Sequence, residues 1–247
     1  MSGLSELWDY LGSSGAWSGD RGLPAQSLDH LRVSAFATGL AVVVAVPPAL
    51  ALGHIRRGGL LATMIVNVGR AIPTFALLVL AFILSLRWGY GLGWWPTVAA
   101  LFLLALPPIF TNTYTGVATV DASIVEAARG MGMTGREVLT RVEMPAAAPL
   151  ILTGIRVSAV QVVATATLGF LVGYGGLGDQ VIGGFQQQQD GRMLAGALAV
   201  ITLSVLTDVA LRSVERALTP WRRRRKGRGR LVVLPGGGGR RAQAGAA

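Results

Sequence analysis

No cysteine occurs among the 247 residues. That excludes a disulfide framework, a thiol nucleophile and any Cys-ligated metal. Histidine is almost as scarce. His30 and His54 stand far apart and show no ligand spacing, and His54, close to Arg56 and Arg57, reads as an interfacial residue. Charge is thin as well: Asp, Glu, Lys and Arg make up 14% of the chain, against about 25% in an average soluble domain. Neither an H-E-x-x-H motif nor a G-x-S-x-G elbow is present, and no paired catalytic carboxylates stand out. The glycine-rich run Gly173-Tyr174-Gly175-Gly176-Leu177-Gly178-Asp179 lacks the Gly-Lys-Ser/Thr of a phosphate-binding loop, so nucleotide binding there is rejected.

What the chain does have is apolar residues, 52% of the total. They fall into runs long enough to cross roughly 30 Å of hydrocarbon. The runs are Val33–Leu52, Leu60–Leu86, Pro96–Val117, Leu150–Leu171 and Met193–Leu211. The expected fold is therefore all-α, a polytopic membrane helix bundle of about five transmembrane helices. The number becomes six if the second run, which contains Arg70 and Pro73, is two segments rather than one kinked helix. Pro47-Pro48 is expected to kink or fray the end of the first span. Trp8, Tyr10 and Trp17, and later Trp88, Tyr90, Trp94 and Trp95, suit membrane interfaces.

A net charge of +10 invites a nucleic-acid reading, but its location argues against one. Nine of the 22 basic residues follow Pro220. Without them the chain is near neutral, so the basicity belongs to a tail and not to a folded face. Three regions follow: a polar extracytoplasmic segment over residues 1–30, a transmembrane domain over 31–218, and a basic, disordered cytoplasmic tail over 219–247. Residues 1–30 carry Glu6, Asp9 and Asp20 and do not read as a secretory signal. With the N-terminus outside, the cytoplasmic pieces hold sixteen Lys or Arg and the outer pieces four. The positive-inside rule prefers that orientation, with the C-terminus in the cytoplasm.

Between the third and fourth runs lies a polar stretch, Glu126-Ala127-Ala128, then Gly132, then Val142-x-Met144-Pro145. Asp121 or Ser123 is the expected N-cap of a first short helix. Gly130, Gly132 and Gly135 allow a sharp turn. A second short helix is expected over Arg136–Val142, stopping before Pro145. Its spacing resembles the E-A-A-x3-G-x9-[IV]-x-L-P motif of the membrane subunits of ABC importers, with Met144 in the usual Leu position. In that family the motif is a cytoplasmic coupling helix that docks on a separate ATPase.

Three further segments resemble the glycine betaine, carnitine and choline branch of that family. They are Arg70-Ala71-Ile72-Pro73-Thr74-Phe75-Ala76-Leu77-Leu78, Asn112–Gly116 leading to Glu126–Met133, and Gly173–Gly178. Arg70 stands where a Gln is expected in many relatives.

The resemblance implies a bacterial inner-membrane permease of quaternary ammonium osmoprotectants, working by alternating access. A methionine-type or other small-polar-solute importer is the alternative within the fold. A passive channel or a membrane-embedded enzyme is the alternative outside it. The implied partners are an ABC ATPase that holds ATP and Mg, an extracytoplasmic substrate-binding protein, and a second permease copy or related chain. No cofactor is expected on this chain. Implied coupling residues are Glu126, Ala127, Ala128, Gly132 and Pro145. Arg70, Asn112, Tyr114 and Gln161 are candidates for pathway or helix-packing roles, with snorkelling an equal reading for Arg70.

Overall fold

The computed structural model describes residues 2–56, 59, 64 and 71–220. Two short helices, α1 (Ser2–Gly12) and α2 (Ser14–Trp17), precede a long one, α3 (Leu23–His54). Next come α4 (Thr74–Arg87) and α5 (Trp94–Ala118). A short helical hairpin follows, α6 (Ala122–Gly130) and α7 (Gly135–Glu137), then a π-helical turn, Val138–Glu143, that runs straight into α8 (Met144–Thr165). A 3₁₀ turn (Ala166–Val172), a second π turn (Asp179–Gly183) and α9 (Gly184–Gln186) lead to α10 (Asp190–Leu218). Among the described residues no strand occurs.

Among the described residues four helical runs are long and apolar enough to span a membrane: Leu23–His54, Trp94–Ala118, Gly135–Val172 and Asp190–Leu218. Thr74–Arg87 is a shorter apolar helix. It is the described part of the second hydrophobic run, and the chain breaks at Ile72-Pro73 just before it. Arg70 lies outside the described residues, as does the tail beyond Pro220.

Several boundaries differ from the sequence reading, for one physical reason. Hydropathy marks the stretch inside hydrocarbon, whereas a helix continues past it wherever backbone partners remain. The first span therefore starts at Leu23 and not at Val33, with Pro24 in its first turn. Its 32 residues are longer than a bilayer crossing requires. Pro47 and Pro48 lie within α3 and do not end it, since neighbouring helices tolerate such breaks. The fifth span extends from Asp190 to Leu218. The region 172–192, read as a loop, contains two short helical turns.

Pro145 is the sharpest correction. The chain does not stop before it; Met144 keeps helical φ −60° and ψ −48°. A proline ring clashes with the carbonyl four residues back, here that of Arg141. The wider π turn over Val138–Glu143 opens the helix at that place. One continuous helical run thus links the polar hairpin to the far end of α8.

The centre is built on small residues. Val33, Ala37, Ala41, Ala45 and Ala49 recur every four positions on α3 and bury against Val98, Leu101, Ala105 and Ile109 of α5. On the other side of α5, Gly154 of α8 admits Asn112: a Cβ there would sit 2.6 Å from Asn112 Cβ and 3.0 Å from the Pro108 carbonyl oxygen. Ser158 donates to the Ala105 carbonyl (3.0 Å) across the same crossing. Arg156 of α8 reaches α10, pairing with Asp208 (2.8 Å) and Glu215 (3.5 Å). At the opposite end, Arg192 pairs with Asp179 (2.7 Å), and Gln26 donates to the same carboxylate (2.8 Å). Tyr10 donates to Gln180 (2.9 Å), which ties α1 to that end.

Gly154→Val should lower the thermal unfolding midpoint of the detergent-solubilised protein, since overpacking a helix crossing costs about 1–3 kcal/mol. Gly39→Val, where an added side chain meets open space, should leave the midpoint close to wild type. Equal midpoints for both variants would contradict the close α5–α8 approach.

Candidate functional site

The polar stretch folds as a preformed unit. Asp121 caps α6: its carboxylate accepts from the Ser123 backbone N–H and hydroxyl, both at 2.9 Å. Of the two N-cap candidates, Asp121 fills the role. Gly132 ends the turn with φ +86°, a left-handed conformation that favours glycine. Space is not the reason, because a Cβ there would meet nothing. Thr134 and Glu137 then form a capping box, with Glu137 Oε2 accepting from the Thr134 N–H (3.0 Å) and hydroxyl (2.9 Å).

The hairpin has its own apolar centre. Val120, Val125, Ala128 and Val138 are buried together, with Met133 and Val142 against them. The three motif residues therefore divide. Ala128 is 2% exposed and belongs to this centre, whereas Glu126 and Ala127 face outward. Beside them Ile124 and Met131 are exposed, Met131 at 72%. Large exposed apolar side chains among polar ones mark a contact surface. A groove of about 260 Å³ runs along this face, lined by His54, Ile55, Arg56, Ala122, Val125, Glu126 and Arg129. Gly132 and Pro145 are both exposed.

Asp121 titrates below the usual carboxylate range, because the two Ser123 donors favour its charged form, with the Arg56 charge adding to them.

Two residues at this site were not legible beforehand. His54 was read as interfacial; its Nδ1 lies 2.5 Å from Glu143 Oε2, and Glu143 is 1% exposed. Arg56 donates from Nη2 to the Val120 carbonyl (2.7 Å). The available signal was an acid, Glu143, inside the apolar run Val142–Pro145.

The other candidates lie away from this surface. Asn112 donates to the Pro108 carbonyl (2.8 Å) within α5. Tyr114 is half-buried against the central cluster, and Gln161 is exposed on α8. No cluster of metal-ligating side chains occurs among the described residues.

A family model described as binding-protein-dependent transport system inner membrane component matches residues 37–220. The chain belongs to this family. It is a multi-pass membrane subunit of a transport system and not an enzyme. The chain is 38% identical over 192 residues to the glycine betaine/carnitine/choline transport system permease protein of Bacillus subtilis (strain 168), covering 78% of this chain and 86% of that protein. It is 37% identical over 195 residues to the choline transport system permease protein of the same organism, covering 79% and 88%. A carnitine transport permease protein of Listeria monocytogenes is 34% identical over 227 residues, covering 92% and 97%. Among solved structures, the inward-facing MetNI methionine ABC transporter is similar with a TM-score of 0.69 and 25% identity, over 80% of this chain and 96% of that one.

The Asp121 cap is open to a pH test. A carboxylate with a lowered folded-state pKa adds stability above the unfolded value, and that stability is lost as pH falls through the folded value. Hydrogen-exchange protection of Ser123, and of the helical turn that follows it, should hold at neutral pH and decline as pH drops below about 3.9. Asp121→Ala should remove the acid-dependent part of the protection. Protection that is unchanged in Asp121→Ala would rule out the cap.

Proposed function

We propose that this chain is the permease subunit of an ATP-driven importer of quaternary ammonium osmoprotectants such as glycine betaine, choline and carnitine. What carries the solute class is the 34–38% identity to permeases of those solutes over most of both chains. The likeness to the methionine transporter supports the shared architecture at lower identity. Quaternary ammonium groups donate no N–H hydrogen bond and are held best by aromatic faces. High affinity then belongs to an extracytoplasmic binding protein. The permease needs only a weak, wet path, because tight binding there would slow release.

In this reading Glu126, Ala127 and the outer face of α6 dock on a separate ABC ATPase, which holds ATP and Mg. Ala128 and Gly132 shape the hairpin, and Pro145 sits where the hairpin joins α8. A second permease copy or a related chain completes the pathway, which switches by rigid-body alternating access. The hairpin and the basic tail face the cytoplasm, and the N-terminus faces outward. The distribution of Lys and Arg supports that orientation.

Labelled-solute uptake into proteoliposomes holding the full complex tests both parts. Glycine betaine, choline or carnitine should accumulate only with ATP and the binding protein. Uptake of an amino acid in their place would overturn the solute class and leave the importer reading standing. Gly132→Pro cannot adopt φ +86°, and Glu126→Lys reverses charge on the docking face. Both variants should insert normally yet lose most solute transported per ATP hydrolysed. Wild-type uptake in both would remove the coupling role.

A further inference from the structure

The cytoplasmic end of α3 touches both roots of the α6–α7 hairpin. At the upstream root, between α5 and α6, Arg56 Nη2 donates to the Val120 carbonyl at 2.7 Å. At the downstream root, where the π turn meets α8, His54 Nδ1 meets Glu143 Oε2 at 2.5 Å. The two grips are only two positions apart (His54 and Arg56), whereas their partners lie 23 positions apart (Val120 and Glu143). The hairpin is covalently continuous with α5 and α8. Along the spans α3 packs on α5 through its alanine ridge; at the hairpin itself these two side chains join the end of α3 to both roots.

The grips carry marks of a specific arrangement. Arg56 closes the helix at φ +51°, a left-handed position where glycine is the usual occupant. A non-glycine residue there is strained, and the conformation persists only where surrounding contacts enforce it. Glu143 is 1% exposed, and its second carboxylate oxygen is buried without a hydrogen-bond partner among the described residues. Charge-assisted hydrogen bonds are the strong class, and a buried carboxylate that loses its partner is costly. Gly135, at the start of α7, lies against the far side of the same ring: a Cβ there would be 3.4 Å from His54 Nε2. The imidazole is thus wedged between the two halves of the downstream root.

We propose that His54 and Arg56 form a yoke that grips both roots of the coupling hairpin, so that α3 moves with it as the ATPase pushes. They are positioning residues, acting through Glu143 and Val120. The inference rests on the coupling reading above and adds a third spanning helix to the moving body. Without the yoke the push reaches α3 only through its alanine ridge on α5, and the end of α3 beside the hairpin is free to lag.

The chain contains no cysteine, so introduced pairs report cleanly. In proteoliposomes containing the full complex, the experiment compares solute moved per ATP hydrolysed for wild type, His54→Ala, Arg56→Ala, the double variant and Glu143→Gln. The single alanine variants should lower that ratio about fivefold or more, the low end of coupling between sites, and the double variant further. Glu143→Gln keeps an acceptor for His54 and should retain most of it. In parallel, Ile55→Cys and Ala122→Cys, which line the same groove, are cross-linked by oxidation with and without ATP. The yield should be independent of ATP while the yoke is intact and fall with ATP once both grips are removed. The assembled complex is verified by size before each assay, which separates slippage from misfolding. A wild-type transport ratio in the double variant, alongside uncoupling in Glu126→Lys, would overturn the yoke and keep the coupling hairpin. Wild-type ratios in both would overturn the two together. Cross-linking that depends on ATP with the yoke intact would also overturn it.

Discussion

Lipid tails are as apolar as leucine, so two spanning helices gain little by hiding apolar side chains from them. Association has to come from close backbone approach and from a few polar contacts. That constraint explains the alanine ridge of α3 and the notch that Gly154 opens for Asn112. It also explains Gly196 on α10, where an added Cβ would sit 2.5 Å from Gln180 Cβ. The bundle is held where the side chains are smallest. The hairpin is positioned by the same rule, because its two roots leave from α5 and α8, the helices whose crossing Gly154 makes close.

The charged side chains follow from the same medium. An ion at depth must be paired or reach water. Arg156 meets Asp208 and Glu215, and Asp208 also pairs with Arg212 at 2.8 Å. The group is balanced, two bases against two acids. At the end away from the hairpin Arg192 and Asp179 do the same with Gln180 and Gln26 in support. Each of these charged groups is thus paired within the bundle, while the α3–α5 seam is left to apolar residues, small ones on the α3 side.

Much of this was readable before any coordinates. Runs of apolar residues located the spans, and a polar stretch at fixed spacing located the hairpin, because few other arrangements keep Glu126, Gly132 and Pro145 at those distances. The helix ends were not readable. Leu23–Arg32 is too polar to signal a span, yet it continues α3. Pro145 is a stop signal in an isolated helix, and only the π turn before it shows why the chain carries on. Long-range pairs were hidden for a different reason. His54 and Glu143 are 89 positions apart, and nothing local in either neighbourhood names the other. Asn112 had been open to pathway or packing roles, and its hydrogen bond to Pro108 emerges only once the proline is seen inside the helix.

The unbroken helical run Gly135–Val172 has a mechanical meaning. Its 38 residues form a rod of roughly 57 Å at about 1.5 Å per residue. A rod of that length is a lever: by simple geometry, tilting it by about 5° swings one end roughly 5 Å relative to the other. Its two ends are not plain α-helix, since a wide π turn opens it and a tight 3₁₀ turn closes it. Tilting the rod therefore couples a displacement at the hairpin end to a displacement at the far end of the same helix.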